Sequence, residues 1–262
     1  MRLIIQKDYE AMSQWAAAYI LKRIQEFSPG PGRPFVLGLP TGSTPLGVYR
    51  EFIRYYQEGR LSFKHIVTFN MDEYIGLSPE HPQSYHRFMQ EHLFAHVDIP
   101  PENIHLPDGM ARHLKAECER YEAAIRQYGG IELFLGGMGG DGHLAFNEPG
   151  SSLSSRTRDK ELTRDTRRAN ARFFGGDPEK VPAAALTVGL GTIMDAREVV
   201  VLASGPTKAR ALQAAVEGPV THLWPVSILQ LHPRAIIVCD EEATEELKVG
   251  TVRYFKEIEG LA

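Results

Sequence analysis

Three titratable side chains crowd one glycine-rich stretch, Gly136-Gly137-Met138-Gly139-Gly140-Asp141-Gly142-His143-Leu144-Ala145-Phe146-Asn147-Glu148-Pro149-Gly150. A histidine set between carboxylates can be held in one tautomer and pass a proton near neutral pH. Glycines at this density let the backbone come close to a small ligand. The stretch also contains G-x-G-x-x-G at Gly137, Gly139 and Gly142, the spacing of a dinucleotide-binding loop. Against that reading, Asp141 would put negative charge inside the pyrophosphate cradle. Pro149-Gly150 also leaves no room for the long helix that should face the phosphates. Acid–base work on a small ligand by Asp141, His143 and Glu148 is the better reading.

Two other segments offer supporting chemistry. Phe69-Asn70-Met71-Asp72-Glu73-Tyr74 ends an apolar run in adjacent carboxylates. Burial would raise the pKa of such a carboxyl and make Asp72 usable as a general base. Read by itself the segment favours a plainer account, with one carboxylate a turn or helix cap and the other facing water. Gly38-Leu39-Pro40-Thr41-Gly42-Ser43-Thr44-Pro45 combines a turn glycine, three hydroxyls and a proline suited to the first position of a helix. Free N–H groups at such a helix start can cradle a phosphate, with Thr41, Gly42, Ser43 and Thr44 around it. An ordinary side-chain-capped helix is the competing account. No Lys-Ser/Thr follows at the spacing of a nucleotide P-loop.

Positive charge is concentrated at Arg156, Arg158, Lys160, Arg164, Arg167, Arg168 and Arg172, and again at Lys208 after the turn Ser204-Gly205-Pro206-Thr207. Lys208 suits a point-charge phosphate ligand and Arg172 a forked one. Asp159, Glu161 and Asp165 dilute the cluster, and no interleaved aromatic residues accompany it, which argues against a nucleic-acid platform. About half of these cations read as a solvated face. His92 and His96 are four apart but lack the H-E-x-x-H pattern, so no metal site is expected.

These residues need a scaffold that brings four loops together. Short apolar runs at residues 35–39, 65–69, 131–135, 199–202 and 235–238 read as strands covered on both faces. Amphipathic or Ala-rich stretches at 11–27, 114–128 and 208–217 read as helices, the last stopped by Gly218-Pro219. The alternation predicts an α/β fold: a single doubly wound, mainly parallel sheet with helices on both faces, one domain over residues 1–262. Ligands in such folds bind where strands end and the following loops diverge, which is where all four segments fall.

Bulk properties narrow the class further. A net charge of −4 gives no general attraction to nucleic acid or anionic membrane. The N-terminus reads as no secretory signal, and no apolar run is long enough to span a bilayer. Cys118 and Cys239 stand far apart without a C-x-x-C spacing and read as buried thiols in a cytoplasmic protein.

With these segments in view, the chain resembles the glucosamine-6-phosphate deaminases, the glucosamine/galactosamine-6-phosphate isomerase family of sugar-phosphate proteins. The resemblance runs nearly end to end and is carried by residues 38–42, 69–74, 141–149 and Glu246-Leu247-Lys248-Val249. It implies conversion of glucosamine 6-phosphate and water to fructose 6-phosphate and ammonia, with no cofactor. By that analogy His143, oriented by Asp141 and Glu148, opens the sugar ring, and Asp72 takes the C2 proton. Arg172, Lys208 and residues 41–44 hold the 6-phosphate. The resemblance further implies a homo-hexamer and a second phosphate site for an acetylated activator at Ser151, Arg158, Lys160 and Tyr254. Glu161 departs from the family's small hydroxyl residue there, and a carboxylate would repel a phosphate at short range. A lactone hydrolase on the same scaffold, needing no carbon-acid base, and a non-catalytic sugar-phosphate sensor are the alternatives.

Overall fold

A run such as Phe35-Val36-Leu37-Gly38-Leu39 lacks polar alternation because the strand it forms is buried along its whole length. The computed structural model describes residues 1–260. The elements run β1 (Arg2–Gln6), α1 (Tyr9–Phe27), β2 (Phe35–Leu39), α2 (Leu46–Gln57), β3 (Ile66–Asn70), β4 (Asp72–Tyr74), α3 (Tyr85–His92), β5 (Ile104–His105), α4 (Leu114–Gln127), β6 (Leu133–Gly137), β7 (Arg158–Glu161), α5 (Arg164–Asn170), β8 (Ala184–Thr187), α6 (Leu190–Met194), β9 (Glu198–Ala203), α7 (Ala209–Val216), β10 (Ala235–Asp240) and α8 (Val249–Ile258).

Seven strands form a parallel sheet in the order β1-β10-β9-β6-β2-β3-β5. The chain winds outward from β2 and β6 in both directions, so their loops part at the centre of the sheet. Successive strand residues feed two different cores. Ile4, Leu37, Leu135, Val200 and Ile236 pack with α1 and α2, while Leu3, Val36, Phe134, Val201 and Ile237 pack with α4 and α7. That period of two turns a continuous apolar run into two half-cores. Each fully buried Leu or Ile contributes about 1.5–3 kcal/mol.

The expected parallel sheet is accompanied by features outside the sequence reading. Residues 2–6 are an edge strand rather than a plain leader to the first helix. A second, antiparallel sheet, β4-β8-β7, stands beyond the ends of the large one. Strand β7 is Arg-Asp-Lys-Glu, with Arg158 and Lys160 half-buried and Asp159 and Glu161 exposed. A small aromatic core of Tyr74, Phe146, Phe174 and Val181 fastens the 158–183 excursion to the body. Cys118 and Cys239 are both buried free thiols, as expected. Among the described residues no helix is long and apolar enough to cross a membrane.

Candidate active site

A cavity of about 710 Å³ opens at the carboxyl ends of the central strands, bounded by the loops after β2, β3, β6 and β9 and by the 158–183 excursion. Asp72, Asp141, His143, Arg172 and Lys208 line it together with residues 41–44. A second cavity of about 750 Å³ lies beside α4. Its half-buried carboxylate, Glu122, is committed to the Thr157 and Thr192 hydroxyls. The acid–base groups are confined to the first cavity.

Asp72 sits on β4, in register with Thr187 of β8. Strand β8 also holds the catalytic-type loop: Phe146 N–H donates to Thr187 Oγ1 at 3.1 Å and the Asn147 amide to Val188 O at 2.8 Å. Asp72 and Phe146, 74 residues apart in sequence, are thus fixed against one short strand. Burial raises the Asp72 pKa to about 8, and the neighbouring Glu73 charge adds to the rise. Glu73 does cap a helix, but Asp72 faces the cavity instead of bulk water.

His143 Nδ1 lies 2.6 Å from Asp141 Oδ1, and the His143 N–H donates to the same oxygen at 3.2 Å. Interaction with His143 outweighs burial and lowers the Asp141 pKa. The ring lies against the Gly139 backbone so closely that any side chain at 139 would collide with it. The second expected carboxylate, Glu148, makes no hydrogen bond to His143, and its Oε2 is buried without a partner. Glu148 is 2% exposed, and its Oε1 accepts from the Thr163 hydroxyl at 2.9 Å and from the Thr166 hydroxyl. Both threonines stand at the start of α5, where N–H groups and the helix dipole favour a carboxylate.

The opposite end of the cavity is built for an anion. Gly42 adopts φ +96°, which turns the loop after β2 sharply. Helix α2 then starts with Pro45 in the capping position and no side-chain cap. Instead Tyr9, from the start of α1, accepts the Gly47 N–H at 2.8 Å and donates to Thr44 O at 3.1 Å. No side chain of the loop itself caps the helix; the one cap comes from Tyr9 and serves Gly47. Among the described residues the Gly42, Ser43 and Thr44 N–H groups make no hydrogen bond, so they remain available as donors. Lys208 lies across from them at the start of α7, its pKa lowered by burial and by Arg172 and raised by Asp141. The partly desolvated Lys208 and the exposed Arg172 stand beside these free amides, a set of donors with the chemistry to receive an anion.

Tyr74, Tyr85 and Asn170 are among the cavity residues that the sequence motifs do not assign a role. The Tyr74 and Tyr85 rings stand 5.0 Å apart, and burial raises the pKa of Tyr74 to about 12. Strand alternation from Asp72 could have located Tyr74. Tyr85 and Asn170 carry no such signal. The other arginines behave mostly as a charged surface: Arg156 pairs with Asp195, and Arg168 with Asp165.

Of the five residues of the second phosphate site, Arg158 donates to Asn147 Oδ1 at 2.9 Å beside the loop that carries Ser151, whereas Tyr254 stands on a separate element. Ser151 is buried after the 141–150 loop, while Arg158, Lys160 and Glu161 lie on β7 against α4. Tyr254 is exposed on α8, which packs on β1 instead.

Residues 7–238 match the family model described as glucosamine-6-phosphate isomerases/6-phosphogluconolactonase. The chain is 64% identical over 259 residues to the glucosamine-6-phosphate deaminase of Treponema denticola, covering 99% of this chain and 96% of that protein. It is 61% identical to the one from Porphyromonas gingivalis, covering 99% and 98%. A solved monomeric glucosamine-6-phosphate deaminase superposes with a TM-score of 0.89 at 41% identity, over 94% of this chain and all of that one. The 6-phosphogluconolactonase from Trypanosoma cruzi superposes with a TM-score of 0.72 at 21% identity, over 94% and 97%, a likeness of fold alone.

Proposed function

The chain belongs to the glucosamine-6-phosphate isomerase/6-phosphogluconolactonase family, and we propose that within it the chain converts glucosamine 6-phosphate and water to fructose 6-phosphate and ammonia. The observation that carries this reading is Asp72, a buried carboxyl with a pKa near 8 facing the same cavity as His143. Opening a ring or cleaving a lactone needs no carbon-acid base. Moving a proton off a sugar carbon does.

The 6-phosphate sits between the amides of Gly42, Ser43 and Thr44 and the cations Lys208 and Arg172. That anchor places the sugar's reactive end toward His143 and Asp72. His143, held by Asp141, moves the C1 hydroxyl proton to the ring oxygen and releases the open-chain aldehyde. Asp72 removes the C2 proton, giving an enolamine, and protonation at C1 leaves an imine at C2. Water adds to the imine carbon and ammonia departs, leaving the C2 ketone of fructose 6-phosphate. A group titrating near neutral pH serves both the removal and the return of the proton, and each such group contributes about 10²- to 10⁴-fold in rate.

Incubation of the purified protein with glucosamine 6-phosphate should release ammonia stoichiometrically with fructose 6-phosphate; absence of ammonia defeats the reading. The lactonase alternative predicts an active Asp72→Asn variant. Regulation by a second sugar phosphate is not part of the reading, because Glu161 points a carboxylate to the surface of β7. Glu161→Thr is the variant in which N-acetylglucosamine 6-phosphate should begin to shift substrate affinity. An oligomer is supported by apolar side chains exposed on α8, Val249, Tyr254 and Ile258.

A further inference from the structure

Glu73 follows Asp72 on β4, and strand alternation turns the two side chains to opposite faces. Asp72 faces the cavity, whereas Glu73 turns toward the start of α3. There it is 1% exposed and meets four donors. Its Oε1 accepts the N–H of Tyr74 at 2.8 Å and of Tyr85 at 3.0 Å. Its Oε2 accepts the N–H of His86 at 3.0 Å and lies 2.8 Å from His86 Nδ1. An ionised carboxylate only accepts, so the Nδ1 proton sits on this side of the ring. Two of the donors are first-turn amides of α3, whose Ser84 N-cap serves Arg87 instead.

This arrangement exceeds what a helix cap requires. One carboxylate ties the strand bearing Asp72 to the helix bearing Tyr85, and both of those residues line the cavity. We propose that Glu73, with His86 at its outer end, is the positioning residue of Asp72, fixing both cavity walls and holding a negative charge beside the base. The proposal rests on Asp72 being the proton-abstracting group described above.

The charges around Asp72 single out Glu73. On β4, α2, α3 and α4 the tyrosines Tyr74, Tyr49, Tyr85 and Tyr121 each have a pKa raised by burial and are neutral near pH 7, while α3 also presents Glu91 and His92 to the cavity. Across the cavity stand Asp141, His143, Lys208 and Arg172, with Asp141 and His143 engaged with each other. Strand β8 opposes Asp72 with Thr187, which does not titrate. Burial and the Glu73 charge together hold the proton on Asp72.

Carbon-13 NMR of the Asp72 carboxyl, assigned by comparison with Asp72→Asn, reads this directly and needs no turnover. In Glu73→Gln the Asp72 titration should move about one pH unit lower, because a like charge has gone. The acidic limb of the kcat/KM profile should move the same way. His86→Leu leaves the three amides in place and is the variant to read if Glu73→Gln does not fold. There the unshared Glu73 charge should displace the titration upward. A cap with only a structural role would lower stability or turnover and leave the titration unmoved. Asp72 titrating as in the parent protein, in whichever variants fold, overturns the proposal. A parent protein that releases no ammonia would instead defeat the deaminase reading, and the NMR result would still judge the clamp.

Discussion

On one wall of the cavity, Asp72, Asp141 and His143 are held at or near the ends of strands whose residues are almost wholly buried. On the other, Arg172 and Asn170 hang from the 158–183 excursion, fastened by one small aromatic core and by Glu148. The difference follows the work each wall does. Proton transfer demands fixed distances between donor, acceptor and substrate carbon, and a site on packed elements holds them better than one on loops. Gripping a phosphate and excluding water tolerate more freedom, because long cationic side chains adapt to the anion.

Changes on the rigid wall should be the most costly. Asp72→Asn and His143→Gln should each lower kcat by about 10²- to 10⁴-fold with little change in KM, measured by steady-state ammonia release. A loss confined to KM would break the comparison. Changes at the anion receptor should act on binding. Lys208→Ala is expected to raise KM about 10- to 100-fold, the loss of one charge-assisted contact, while kcat falls less.

Glu148→Gln separates the walls more finely. Glu148 serves α5 and not His143, so the variant should loosen residues 158–183 by about 1–3 kcal/mol. Limited proteolysis would detect this as faster nicking there, with the pH profile unchanged. A profile altered as strongly as by Asp141→Asn would move Glu148 to the rigid wall. Stability should depend on Asp72 as well. The folded-state pKa of Asp72, about 8, lies above its ordinary 3.8, so the folded protein binds that proton more tightly than the unfolded chain. Asp72 therefore weakens the fold progressively as the pH rises from 3.8 through 8. Tm measurements should show no advantage for Asp72→Asn at the low end of that range and the greatest advantage above it.

The same division governed what could be read from sequence. Runs such as 65–69 and 131–135 announce buried strands through composition alone, and the loops that follow them contain the acid–base groups. Asp72 looked ordinary because its meaning depends on burial by β8 and on Glu73 being spent on the amides of Tyr85 and His86, 12 and 13 residues further on. The neighbours of Glu148 were hidden for the same reason: Thr163 and Thr166 reach it only after the chain has turned through β7. Strand β7 was misleading at a local level, since Arg-Asp-Lys-Glu has the composition of a solvated stretch and is a strand only because β8 lies beside it. Tyr9 as the partner of the α2 start, 38 residues away from Gly47, had no sequence signal at all.

The central claim is that a buried Asp72 performs the carbon proton transfer, and ammonia release from glucosamine 6-phosphate as a function of pH tests it most directly. The account predicts activity that rises through a limb near pH 8, the titration of Asp72, and that falls away in Asp72→Asn. An Asp72→Asn protein that releases ammonia at the parent rate, with the parent's pH profile, would contradict it.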